Sequence, residues 1–217
     1  MNNYIDSTNL KPYATIEDIT KLCGDALKYH FQTVCVHPYY VSLAKSLLED
    51  STVQVTSVVG FPLGMNSTSV KVYEAVEALE NGADEIDMVI NIGALKDEEY
   101  ECVKKEIEEI RNILDGKVLK VIIETCYLTD EEIIKMTNIC NETFVNYIKT
   151  STGYGTKGAD EKDIKLINKH KNDILEIKAS GNINDIKDAN KMINAGAARI
   201  GTSHAKEIME GDINDNI

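Results

Sequence analysis

Short apolar runs alternate with amphipathic helical patterns along the whole sequence, and this alternation constrains the fold more than any single motif. The runs span Tyr4–Leu10, Thr33–Val36, Val53–Phe61, Asp84–Asn91, Val118–Glu124, Phe144–Thr150, Ile174–Ala179 and Ala198–Gly201. Where they are long, as in Val118-Leu119-Lys120-Val121-Ile122-Ile123, they read as apolar on both faces, as a parallel strand covered on two sides must be. A helical pattern follows each run. Thr15-Ile16-Glu17-Asp18 reads as a capping box, with Ile16, Ile19, Leu22, Cys23, Ala26 and Leu27 on one face behind it. Further helices are predicted over Val41–Leu48, Ser69–Glu80, Asp97–Leu114, Asp160–His170, Asp185–Asn194 and Ser203–Met209, and Thr129-Asp130-Glu131-Glu132 opens another. The polar tail from Glu210 to Ile217 is expected to fray.

Eight βα units in 217 residues, with no Pro/Ser-rich linker between them, predict one (β/α)8 TIM barrel covering residues 1–217. A doubly wound sheet would want a Gly-rich turn after its first strand, and none is present. Composition then narrows the partners. A net charge of -13 argues against a nucleic-acid backbone, though not against a small anion held in a local site. No apolar run approaches the roughly 20 residues needed to span a bilayer, and the N-terminus has no basic and apolar leader. Cys23, Cys35, Cys102, Cys126 and Cys140 are an odd set without metal-type spacing and read as reduced thiols. These features predict a cytoplasmic protein with neither nucleic-acid nor membrane partners.

In a barrel, chemistry is placed at the C-terminal ends of the strands. Here those ends are polar: Asp6, Cys35 and His37, Asp87, Glu124, Lys149 and Lys178. Any one of them alone would read as a rim charge or a buried ion pair. Together they would meet in one small space. Lys149 and Lys178 fall on adjacent strands, about 5 Å apart by sheet spacing, and like charges that close push one lysine toward its neutral amine. Asp87, two strands away, can hold the other lysine charged and move protons. A neutral amine, a charged lysine and a carboxylate are the groups that Schiff-base aldol chemistry requires. Behind Lys149, Thr150-Ser151-Thr152-Gly153 offers hydroxyls and close backbone approach. Ala179-Ser180-Gly181-Asn182 and Gly201-Thr202-Ser203-His204 follow the last two strands, where barrels frequently bind phosphate, and the second segment is expected to open the final helix.

Tyr147-Ile148-Lys149-Thr150-Ser151-Thr152-Gly153, Glu85-Ile86-Asp87 and Ile177-Lys178-Ala179-Ser180-Gly181 resemble the signature segments of deoxyribose-phosphate aldolases. The likeness extends to Ile5-Asp6-Ser7-Thr8-Asn9-Leu10-Lys11-Pro12, Val34-Cys35-Val36, Val58-Val59-Gly60-Phe61-Pro62 and Arg199-Ile200-Gly201-Thr202-Ser203, and so covers essentially the whole chain. The resemblance implies a class I aldolase that cleaves 2-deoxy-D-ribose 5-phosphate reversibly to acetaldehyde and D-glyceraldehyde 3-phosphate, with no metal and no cofactor. It implies Lys149 as the Schiff-base lysine, Lys178 as its perturbing neighbour and proton relay, and Asp87 as proton donor and acceptor. Asp6 and Thr8 would touch sugar hydroxyls or line the site, with Cys35 and Thr150 among the substrate contacts. Gly153, Gly181, Asn182, Gly201, Ser203 and His204 would surround the phosphate.

Three positions depart from the family pattern: Ser7 where histidine or a bulkier residue is common, Asn182 where a second glycine is usual, and His204 where a small residue is usual. The tail also lacks the terminal tyrosine of some members. The competing readings are a metal-dependent barrel lyase or isomerase, a pyridoxal phosphate protein and a non-catalytic phosphosugar-binding barrel. The first would need clustered histidines, whereas His30, His37, His170 and His204 are scattered. The partners expected are a small phosphosugar and an aldehyde; a homodimer or higher homo-oligomer is compatible with the sequence.

Overall fold

The computed structural model describes the backbone of residues 1–215 and the side chains through residue 211. Eight parallel strands close in sequence order into a barrel, with β1 (Ile5–Asn9) pairing both β2 (Thr33–Val36) and β8 (Arg199–Thr202). Between them lie β3 (Gln54–Val59), β4 (Glu85–Val89), β5 (Val118–Ile122), β6 (Tyr147–Lys149) and β7 (Glu176–Ser180). The surrounding helices are α1 (Ile16–Tyr29), α2 (Val41–Leu47), α3 (Thr68–Glu80), α4 (Ile92–Lys96), α5 (Tyr100–Ile113), α6 (Asp130–Glu142), α7 (Glu161–His170), α8 (Ile186–Ala195) and α9 (Ala205–Asp215). The fold is a (β/α)8 barrel, as the alternation predicts.

Both capping boxes form. Thr15 and Asp18 cap α1 reciprocally, and Thr129 and Glu132 do the same for α6. Several boundaries differ from the sequence expectation. The helix expected over Asp97–Leu114 starts later, at Tyr100, and a short helix that was not expected precedes it: Asn91 caps α4 through its bond from the Ala94 amide, and Glu98, at φ 59°, separates α4 from α5. The strands expected from Phe144 and Ile174 start later, at Tyr147 and Glu176. Phe144 has φ 53°, which no strand admits, and both residues are exposed. Finally, α9 continues through residues 210–215, which were expected to fray; residues 216 and 217 lie outside the described residues.

The strand register separates two faces, because residues paired across a parallel barrel point the same way and successive residues alternate. On the outer face, Ile5, Val34, Val55, Ile86, Val121, Ile148, Ile177 and Ile200 join Ile19, Ala75, Ile107, Ile164 and Ala189 from the helices in one apolar layer. Burial of this layer supplies the main driving force for closure. The opposite face of the same strands carries Asp6, Thr33, Thr56, Glu85, Asp87, Lys120, Lys149, Lys178 and Arg199, all buried. The barrel is apolar outside its sheet and ionic over much of its interior, with Cys35 and Val58 forming an apolar patch there.

Candidate active site

The inward charges form one connected network centred on Asp87. Its Oδ2 accepts from Lys149 Nζ and from Lys178 Nζ, each at 2.8 Å, and its Oδ1 accepts from Lys120 Nζ at 2.7 Å. Lys178 also reaches Asp6 Oδ2 at 2.5 Å. Arg199 donates to Asp6 Oδ1 at 2.7 Å and to Glu85 Oε1 at 3.4 Å, and Lys120 completes the ring on Glu85 Oε2. Lys149 and Lys178 are register partners across β6 and β7, as sequence spacing predicts, so their ammonium groups share one face.

Seven charged side chains enclosed together demand near-neutrality, since an unpaired buried charge is costly. The acids are Asp6, Glu85 and Asp87; the bases are Lys120, Lys149, Lys178 and Arg199. One base is surplus. Burial, reinforced by the charge on Lys178 and opposed by Asp87, holds Lys149 below the ordinary lysine value. Burial also works against charge on Lys178 and Lys120, but the carboxylates around them outweigh it and raise both: Asp6 and Asp87 for Lys178, Asp87 and Glu85 for Lys120. Burial would raise Asp6 and Asp87, yet the facing cations hold both well below the usual carboxylate range. The surplus therefore falls on Lys149, whose neutral form balances three anions against three cations.

Lys149 also differs from the other two lysines in access. It borders a cavity of about 510 Å³ at the C-terminal mouth of the barrel, within the size range of small-ligand sites. Thr8, Gly153, Gly181, Asn182, Gly201, Ser203 and His204 border the same cavity, while Asp87 and Lys178 are fully buried, with Asp87 bridging Lys178 and Lys149. Gly181 and Asn182 take φ 85° and 56°. Asparagine tolerates that left-handed conformation better than other side chains, so Asn182 can hold a backbone that would otherwise favour glycine. The mouth's charged residues are balanced, with Lys11, Lys21 and Lys206 against Asp18, Asp25 and Glu207. An anion here would depend on backbone amides rather than on a positive field.

Four expectations need correction. Asp6 does not line the cavity: it is fully buried, with its carboxylate committed to Lys178 and Arg199. Cys35 is likewise enclosed, packed with Leu10 and Val58 on the β1–β3 side, and burial pushes its thiol up. Thr150 is a sheet cross-link, donating to the Ser180 carbonyl and accepting from the Ser180 amide. The last helix begins at Ala205 rather than Ser203, and the His204 amide is already used by Thr202 Oγ1 at 2.9 Å.

Sequence reasoning overlooked Lys120, Glu85 and Arg199 as members of the network. Lys120 sat within an apparently two-sided apolar strand. The available signal was its parity with Glu124 and the improbability of a lysine among aliphatics unless that face is ionic. Glu124, noted only as a strand end, has a definite task. Its buried carboxylate accepts from the Thr152 amide at 3.2 and 3.3 Å and from the Thr152 hydroxyl, fixing the loop that follows Lys149. Ala159 donates to the Ser180 and Gly181 carbonyls, and a side chain at Gly158 would collide with the Gly181 carbonyl, so that loop packs against the β7 loop backbone to backbone. Among the described residues, no group of three or more His, Cys, Asp or Glu side chains is arranged to hold a metal ion.

Comparison with known proteins agrees with this geometry. The model of the DeoC/LacD family aldolases matches residues 3–209. The deoxyribose-phosphate aldolase of Thermococcus kodakarensis is 54% identical over 212 residues, covering 96% of this chain and 95% of its own length. The solved structure of QR15, an aldolase, superposes with a TM-score of 0.95 at 43% identity, covering 99% of this chain and 96% of that one. The tetrameric deoxyribose phosphate aldolase of Aeropyrum pernix gives 0.92 at 33% identity, covering 100% and 92% of the two chains. With the sequence matched over nearly its full length and the barrel closed around a lysine-bearing site, the chain belongs to the DeoC/LacD family of aldolases.

Proposed function

We propose that the enzyme reversibly cleaves 2-deoxy-D-ribose 5-phosphate to D-glyceraldehyde 3-phosphate and acetaldehyde through a Schiff base on Lys149. The observation that carries this reading is the position of Lys149. It is the network lysine that borders the cavity, and its amine is held toward the neutral, nucleophilic form by burial and by Lys178.

In the open-chain sugar, the Lys149 amine adds to the C1 aldehyde and, with loss of water, forms an iminium. The 3-hydroxyl gives up its proton and the C2–C3 bond breaks. Its electron pair flows to the iminium nitrogen, releasing D-glyceraldehyde 3-phosphate and leaving an enamine. Protonation at C2 and hydrolysis then free acetaldehyde and the amine. Asp87 Oδ2, shared by Lys149 and Lys178 at 2.8 Å, is placed to pass protons between the two amines. The Gly181–Asn182 and Gly201–Ser203 segments present main chain to the phosphate end, and Thr8 faces the same space.

Homo-oligomerisation accompanies this reading, supported by the tetramer of the Aeropyrum pernix relative and by exposed Tyr39, Leu63, Met65 and Tyr73. A cytoplasmic site of action accords with five free cysteines. Residues 1–217 act as one catalytic domain. The test is trapping: the protein incubated with acetaldehyde and borohydride should gain one reduced adduct, mapped by mass spectrometry to Lys149. An adduct mapped to Lys178, or none at all, overturns the assignment.

A further inference from the structure

Two residues, Leu10 and Tyr154, border the cavity on the side where the barrel interior is apolar. Behind them lie Cys35 and Val58, with Phe61 packed against the group, and none of these three borders the cavity. The wall is tied together. The Tyr154 hydroxyl donates to the Leu10 carbonyl at 2.6 Å, joining the β6 loop to the β1 loop across the mouth. His37 Nε2 donates to the same carbonyl at 2.9 Å. Phe61 stands edge-on to both rings, at 5.6 Å from Tyr154 and 5.8 Å from His37. At its other end the Tyr154 amide donates to Thr152 Oγ1 at 3.0 Å, and Thr152 is itself clamped by Glu124. A tyrosine that is half exposed yet fixed at both ends is built as a wall rather than left as a surface side chain.

The cavity thus has a mostly small and polar end toward the β7 and β8 loops, with Ile183 and Ala205 among its lining, and an aromatic–aliphatic wall where Tyr154 meets Leu10. On the reading proposed above, a phosphate at the polar end leaves the two carbons bound to Lys149 facing Leu10 and Tyr154. We propose that Tyr154 sets the size of the donor carbonyl. Its ring, strapped to Leu10, admits a two-carbon aldehyde beside Lys149 and excludes longer or branched ones. The inference rests on Lys149 being the Schiff-base lysine.

The experiment compares borohydride trapping of acetaldehyde, propanal and acetone at Lys149, together with kcat/KM for each donor with D-glyceraldehyde 3-phosphate, in the wild type, Tyr154→Phe and Tyr154→Ala. Removing the ring should raise the propanal-to-acetaldehyde ratio by about tenfold or more, the scale on which an apolar pocket discriminates one methylene. Tyr154→Phe keeps the ring but frees it from Leu10, and should raise the ratio less while increasing KM for acetaldehyde. An unchanged ratio in both variants, in protein that circular dichroism shows folded and that still traps acetaldehyde, overturns the proposal. If Tyr154→Ala does not fold, Tyr154→Phe decides alone: an unchanged ratio and KM sinks it. A wild type that fails to trap acetaldehyde at Lys149 overturns the parent reading instead, so the two failures are distinguishable.

Discussion

Lys120 occupies one carboxylate oxygen of Asp87, at 2.7 Å, and thereby leaves the other to Lys149 and Lys178. The division matters because Lys120 is the structural cation of the pair formed by Asp87 and Glu85, while Lys149 is the surplus one. The two lysines should therefore respond oppositely to replacement. Lys149→Met removes the surplus base, whose proton the network already disfavours, so turnover should vanish with stability within about 1 kcal/mol of wild type, or above it. Lys120→Met leaves carboxylates buried without their partner and should cost about 3–5 kcal/mol. Urea denaturation of both variants checks this, and equal losses would contradict the charge balance.

Lys178 and Asp87 pull the Lys149 amine in opposite directions: the first disfavours its proton and the second favours it. Lys178→Leu removes the repulsion, so the amine gains proton affinity and less of it is free at a given pH. The acidic limb of the kcat/KM profile should move to higher pH, alongside a fall in turnover. A profile of unchanged shape with merely lower amplitude would mean that Lys178 does not tune Lys149.

Stability against pH has three contributions. Asp6 and Asp87 are depressed in the folded state, so their contribution is full above about 3.9, the unfolded value, and is lost as pH falls through their folded values. Lys178 and Lys120 are raised, so theirs is full below about 10.4 and is lost as pH rises through their folded values. Lys149 is lowered, so the unfolded chain binds a proton there that the folded one releases. Between the folded Lys149 value and about 10.4, that term makes stability rise with pH. Wild type should therefore gain stability relative to Lys149→Met across this window, and parallel curves for the two would refute a depressed Lys149.

Glu124 acts on the site through Thr152, whose amide and hydroxyl it holds. Glu124→Ala leaves that buried amide unsatisfied, a loss of about 1–3 kcal/mol, and releases the loop behind Lys149. KM for the phosphosugar should rise more than kcat falls, and the Thr152 amide should exchange faster with deuterium. Rescue by Glu124→Gln, which retains an acceptor oxygen, separates this clamp from a role in proton transfer.

The sequence determined the local features because local interactions decide them. The capping boxes at Thr15 and Thr129, the βα alternation and the placing of Asp87, Lys149 and Lys178 on strands follow from spacing within a few residues. The register that sets Lys149 beside Lys178 was legible from the apolar runs themselves, since neighbouring parallel strands align along their lengths. Tertiary structure decided what depends on partners far along the chain. Asp6 looked like a substrate contact until Arg199 and Lys178, more than 170 residues away, took its carboxylate. Lys120 looked like an interruption in an apolar strand until closure placed it between Asp87 and Glu85. Which lysine would lose proton affinity was likewise undecided by spacing alone. Protonation in a closed space is set by the sum of all enclosed charges, and that sum exists only once the eight strands have brought their inward faces together.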